Sequence, residues 1–137
     1  MRKQIGRRNK AMTNLDKWFI YTDHQLEMKD AIEKTILKVC GPTLNLNEFF
    51  LLYFLEQAED KKLYQQDLQT KMHLSASAIS RMIAKLEAKD CSVITKKTCS
   101  NDKRAADIIL TPQGEETLKK VLQEVELSLE TYKAYLG

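Results

Sequence analysis

Three clusters of residues hold the chain's most usable chemistry. In the stretch 74–90, LSASAISRMIAKLEAKD, the small residues Ser75, Ala76, Ser77, Ala78 and Ser80 leave one end bare, and the bases Arg81 and Lys85 follow. A second cluster is Lys96 and Lys97, and a third is Asp102, Lys103 and Arg104 within the polar run CSNDKRA. Hydroxyls and cations grouped in this way suit anionic oxygen, because charge-assisted hydrogen bonds are the strong ones. The wider charge pattern agrees. Residues 61–111 carry ten bases against five acids, whereas 11–60 carry four bases against nine acids and 112–137 three against five. A basic middle in an acidic frame reads as a polyanion-binding module. Enzyme chemistry finds no footing: no nucleophile–base pair, phosphate-cradling glycine loop or metal motif occurs. Cys40, Cys91 and Cys99, with His24 and His73, are too scattered to form a zinc cage. No cofactor and no metal are expected. The cysteines read as bystander thiols of a reducing compartment, with redox sensing by one of them as the alternative.

These residues need elements to hold them. A chain of 137 residues fits one domain with a real core, and 4 glycines and 2 prolines leave little material for turns, so long helices are expected. No apolar run is long enough to span a membrane, and the basic start MRKQIGRRNK lacks an apolar region behind it, so a cytoplasmic protein is expected. Residues 11–39 repeat Leu15, Phe19, Leu26, Ile32, Ile36 and Val39 at helical spacing, and Gly41-Pro42 closes that helix. Asn45 caps the next helix, with Glu48 three residues on as in a capping box, and Phe49 to Leu55 is apolar almost all round, as in a buried helix. Leu63, Leu68 and Met72 are expected along one short helix. Ser75 or Ser77 then caps a helix whose core stripe is Ile79, Met82, Ile83 and Leu86. SVITKKT and ADIILT read as two strands around a polar turn, with Ala106, Ile108 and Leu110 on one face. Pro112 and the acids after it open a last helix expected to run through Leu136.

A short helix, a turn, an amphipathic helix and a basic hairpin outline a winged helix-turn-helix. The runs DLQTKMHLSASAISRMIAKLEAKD and KKTCSNDKRAADIILTPQGEE resemble the MarR family of bacterial transcriptional regulators. The marks are Leu74-Ser75, Ser80-Arg81 with Leu86-Glu87, Asp102-Lys103-Arg104-Ala105, and Leu110-Thr111 with Gly114. The fold implied is mainly α with a small β-hairpin wing. Residues 1–10 would form a basic flexible tail, 11–44 and 112–137 the N- and C-terminal dimerisation helices, and 45–111 the winged helix-turn-helix DNA-binding domain. The resemblance implies a homodimer on a pseudo-palindromic operator in double-stranded DNA, with half-site centres roughly 34 Å apart. It also implies a repressor released by a small molecule or an oxidant. A winged helix that binds protein without specific DNA binding is the alternative, disfavoured by the basic wing and recognition helix.

Within that resemblance, Ser75 and Ser77 would cap the recognition helix and donate to phosphate, with Ala76 and Ser80 beside them at its DNA-facing end. Arg81 would reach a guanine edge or a phosphate, and Lys85, one turn on, the backbone. Gln65 and Gln66 would donate to phosphate from the preceding helix. At the wing, Arg104 resembles a minor-groove arginine oriented by Asp102, while Lys103, Lys96 and Lys97 face the backbone. An effector pocket is expected among Trp18, Tyr21, His24, Phe49 and Tyr53. His73 sits where the family often has glycine, and is expected as a surface turn residue.

Overall fold

The computed structural model of the chain describes residues 11–88, 92–98 and 106–137. Helix α1 (Asn14–Cys40) starts at a reciprocal cap: Asp16 N–H donates to Thr13 Oγ1 at 3.0 Å, and Thr13 N–H donates to Asp16 Oδ2 at 2.9 Å. It ends at Gly41, whose φ of 62° is the left-handed backbone that glycine adopts without strain, and Pro42 prevents continuation. Helix α2 (Leu46–Gln57) has the expected box, with Asn45 and Glu48 exchanging two 2.9 Å hydrogen bonds. Helices α3 (Gln65–Met72) and α4 (Ala76–Glu87) meet at His73, which is left-handed at φ 56°. The His73 and Leu74 amides both donate to the Gln69 carbonyl and close α3. A glycine-like backbone at an exposed histidine explains the resemblance noted at this position.

Strands β2 (Ile94–Lys97) and β3 (Asp107–Leu110) form the hairpin, antiparallel, with Ile94 opposite Leu110 and Lys97 opposite Asp107. Leu63 departs from expectation. It lies in a third strand, β1 (Lys62–Tyr64), paired with β3 so that Leu63 faces Ile108, and the sheet order is β1-β3-β2. A three-residue strand has no periodicity of its own, and only its long-range partner makes it one. The last helix, α5 (Pro112–Leu129), is shorter than expected, because Glu130–Tyr135 tightens into a 3₁₀ turn.

One core serves all these elements. Leu51, Leu52 and Leu55 of α2 meet Leu68 of α3, Ile79 and Leu86 of α4, Ile94 and Ile108 of the sheet, and Leu118 and Val121 of α5. Helix α1 packs along α5 and reaches this core through Ile36, with Ile32 and Val39 partly buried beside it. Where α5 leaves the sheet, Thr111 caps the helix by accepting from Gly114 N–H, and its hydroxyl donates to the Ser92 carbonyl at 2.7 Å. A side chain at Gly114 would collide with the Val93 carbonyl oxygen, so the close approach of helix to strand requires glycine here. No helix among the described residues is long and apolar enough to cross a membrane.

Candidate nucleic-acid interface

Helix α4 is built to show one face and hide the other. Ile79, Ile83 and Leu86 are buried and Met82 is half-buried, while Ser77, Ser80, Arg81, Ala84 and Lys85 are exposed. At 3.6 residues per turn, Ser77, Arg81 and Ala84 project opposite the buried stripe, with Ser80 on one flank and Lys85 on the other. Ser75, not Ser77, is the cap: its Oγ accepts from Ala78 N–H at 3.2 Å. Ser77 therefore keeps its hydroxyl for the outer face. The exposed first turn, with Ser75, Ala76 and Ser77, lets a backbone or groove floor come close to the helix N-terminus, where free N–H groups favour anions.

The flanks are tied down. Gln65 Nε2 donates to Ser80 Oγ at 2.7 Å, joining the first turn of α3 to α4. Ser80 still has its own proton to donate outward. Gln66, beside it, is exposed in the same turn of α3. On the other flank, the Lys85 ammonium lies 2.8 Å from Glu48 Oε2 and 2.9 Å from Oε1, so the lysine expected on the DNA backbone is engaged within the protein.

The wing grows from the end of α4. Lys96 N–H donates to Glu87 Oε2 at 3.1 Å, and Val93 N–H donates to the Leu86 carbonyl, which docks the first wing strand on the helix. Lys96 and Lys97 are exposed at its outer end. Asp102, Lys103 and Arg104 lie outside the described residues, as do Cys91, Cys99 and residues 1–10.

The five residues expected around an effector do not share one cavity. Tyr21 and His24 line a cleft of 470 Å³ with Lys17, Ile20, Met28 and Tyr135, and His24 stacks on Tyr135 with ring centroids 3.7 Å apart. Phe49 is buried in the core, and Tyr53 packs half-buried against it. Trp18 is exposed and packs edge-on against Phe19. No cluster of three or more metal-ligating side chains occurs among the described residues. Burial raises the Cys40 thiol above its ordinary pKa, outweighing the opposite pull of Lys120, and this disfavours the reactive thiolate.

Two features escaped the sequence reading. The Glu48–Lys85 pair has a visible signal, an acid in an otherwise apolar helix, but the capping box already gives Glu48 a local role. The strand β1 gave no signal beyond the apolar Leu63.

A capped helix with a bare first turn beside a strand-tethered wing is the outline of a winged helix-turn-helix, and sequence comparison agrees with that fold. Residues 44–106 match the model of the MarR family. Over this segment the chain is similar to the MarR family. The general activity that this similarity supports is DNA-binding regulation of transcription. The chain is similar in structure to AbsC, a MarR family transcriptional regulator from Streptomyces coelicolor, with 22% identity, a TM-score of 0.76 and coverage of 94% of this chain and 85% of AbsC. It is similar to another Streptomyces coelicolor MarR regulator, solved in complex with DNA, at 20% identity and TM-score 0.70, covering 90% of this chain and 79% of that one. CouR from Rhodococcus jostii, solved bound to p-coumaroyl-CoA, aligns at 21% identity and TM-score 0.71, covering 90% and 82%. No curated protein sequence matches the chain.

Proposed function

We propose that this MarR chain is a dimeric, sequence-specific DNA-binding repressor whose affinity for its operator responds to a small molecule. The observation that carries the reading is α4: its inner face is locked into the core, and Ser77 and Arg81 stand opposite it, Ser77 on the capped, exposed first turn and Arg81 on the next. Ser75, Ala76, Ser77, Ser80, Arg81 and Gln66 form the groove-facing set, with Lys96 and Lys97 as backbone contacts; the sequence Asp102-Lys103-Arg104 adds further DNA contacts to this reading. The structurally similar regulator solved with DNA supports this assignment.

The dimer follows from exposed apolar surface. Leu15, Trp18, Phe19 and Leu26 on α1 face solvent, with Leu127, Tyr135 and Leu136 at the far end of the chain. A soluble chain hides such a patch against a partner, and a second copy presents the same helices in two-fold symmetry. The cleft of Tyr21, His24 and Tyr135 is the effector site proposed here. Its stacked rings suit a planar aromatic ligand, and the bound p-coumaroyl-CoA of CouR supports that class.

Fluorescence anisotropy with genomic fragments tests the reading. Binding is expected to weaken by on the order of 10³ or more between 50 and 200 mM salt, as counterion release from several phosphates requires. Absent or salt-insensitive binding would sink it. Arg81→Ala is expected to cost about 1–3 kcal/mol and to relax preference at one base pair if Arg81 reads a base. A uniform loss across sequences would make it a phosphate contact.

A further inference from the structure

Glu48 exposes 2% of its side chain and is the one buried charged residue among those described. The capping box uses only one of its oxygens, Oε1, which accepts from Asn45 N–H at 2.9 Å. A glutamine would perform that task without bringing a charge into the core. The carboxylate is instead matched by the Lys85 ammonium, which bridges both oxygens at 2.8 and 2.9 Å. A buried carboxylate is tolerated only when paired and hydrogen-bonded, so Lys85 is committed inward although its side chain remains about half exposed.

The placement of this pair on α4 matters. The buried stripe of Ile79, Ile83 and Leu86 is aliphatic, and such packing is non-directional. It decides which face of α4 turns inward, and directional polar contacts refine that rotation. Direction comes from the two flanks: Gln65 binds Ser80 on one side, and Glu48 binds Lys85 on the other. Arg81 lies between them, one residue after Ser80 and one turn before Lys85.

We propose that Lys85 is a positioning residue and not a DNA contact: the Glu48–Lys85 strut, opposed by Gln65–Ser80, sets the rotation of α4 and so aims Arg81 and Ser77. The proposal rests on the DNA-binding reading above. It predicts that a lysine on the recognition helix contributes nothing to phosphate neutralisation.

The test uses the full chain with Lys85→Gln, Glu48→Gln and the double variant. Each is titrated against a genomic fragment selected by the unaltered protein and against random-sequence duplex, across a range of salt. Lys85→Gln leaves Glu48 unpaired and is expected to lower the melting temperature by about 5 °C or more, and the double variant is expected to recover most of that loss. The double variant is expected to bind the selected fragment several-fold more weakly, with narrowed discrimination over random DNA and an unchanged slope of log K against log salt. Glu48→Gln releases the ammonium and is expected to steepen that slope, by up to about 0.9 per copy. A double variant whose slope falls by about 0.9 per copy while discrimination holds would make Lys85 a phosphate contact and overturn the strut. Failure of the unaltered protein to bind any DNA would remove the regulator reading and the positioning role together. Normal binding with unchanged discrimination in the double variant removes the positioning role alone.

Discussion

Helix α2 and the first half of α1 are both rich in large apolar side chains, and they place them differently. In α2, Phe49, Leu51, Leu52 and Leu55 are buried at the centre of the core. In α1, Leu15 is 61% exposed, Trp18 and Phe19 each 55%, and Leu26 is also open to solvent. Only from Ile32 onward does α1 join the core, through Ile36. The difference separates residues that make the fold from residues that the fold presents. The winged helix completes its core within one chain, whereas the N-terminal half of α1 has an apolar surface that a single copy leaves open.

If that contrast holds, damage to the two regions has different signatures. Leu52→Ala, at a fully buried position, is expected to cost about 2–5 kcal/mol of folding stability, read from urea unfolding. A cost below 1 kcal/mol would mean that α2 is not the centre of the core. Phe19→Glu is expected to halve the mass in sedimentation while largely keeping helical circular dichroism, and to weaken operator binding by about tenfold or more, equivalent to about 1.4 kcal/mol. Retention of the dimer would move the interface elsewhere. Smaller again, Ser75→Ala removes the cap of α4 and is expected to cost about 1 kcal/mol of stability. Thermal melts that leave the variant level with the parent would show that the first turn is held by other contacts.

The smallest effect concerns Lys61, which bridges Glu115 of α5 at 2.6 Å and Glu56 of α2 at 3.4 Å. Its hydrogen bond to Glu115 raises its pKa above the ordinary 10.5, with Glu56 adding to the rise and desolvation opposing it. A raised lysine stabilises the fold fully below its unfolded pKa, and the contribution disappears as pH climbs through the folded value. Lys61→Gln is therefore expected to melt slightly below the parent at neutral pH and level with it in strong alkali. Because the pair is exposed, high salt is expected to shrink the difference. A gap that widens toward alkaline pH would contradict the assignment.

Much of the winged helix was legible because its signals are local. The Asn45–Glu48 box, the Ser75 cap and the stripe Ile79, Ile83 and Leu86 all act within one or two turns of a helix, so spacing alone reveals them. The strands were legible from the β-branched run at Ile94 and from the alternation of Ala106, Ile108 and Leu110. The pairing of Lys85 with Glu48 was not legible for the opposite reason. Its partner lies 37 residues away, and no pattern within α4 distinguishes an inward-paired lysine from one facing a phosphate. The effector residues were drawn from helices that do touch, but a helix shares only one of its faces with a neighbour, so Phe49 enters the core while Tyr21 and His24 turn to Tyr135.

The sequence by itself determined the order of helices, their caps, the two-stranded wing and the polar outer face of α4. Each depends on neighbours in the chain, or on side-chain type alone. The tertiary structure decided the rest. It turned Leu63 into an edge strand by placing it opposite Ile108, and it made Gly114 necessary by bringing the Val93 carbonyl against α5. It also committed Lys85 to Glu48 and left Leu15, Trp18 and Phe19 without cover. These outcomes depend on which distant surfaces meet, and a pairing between remote residues is fixed only when the whole core closes around it.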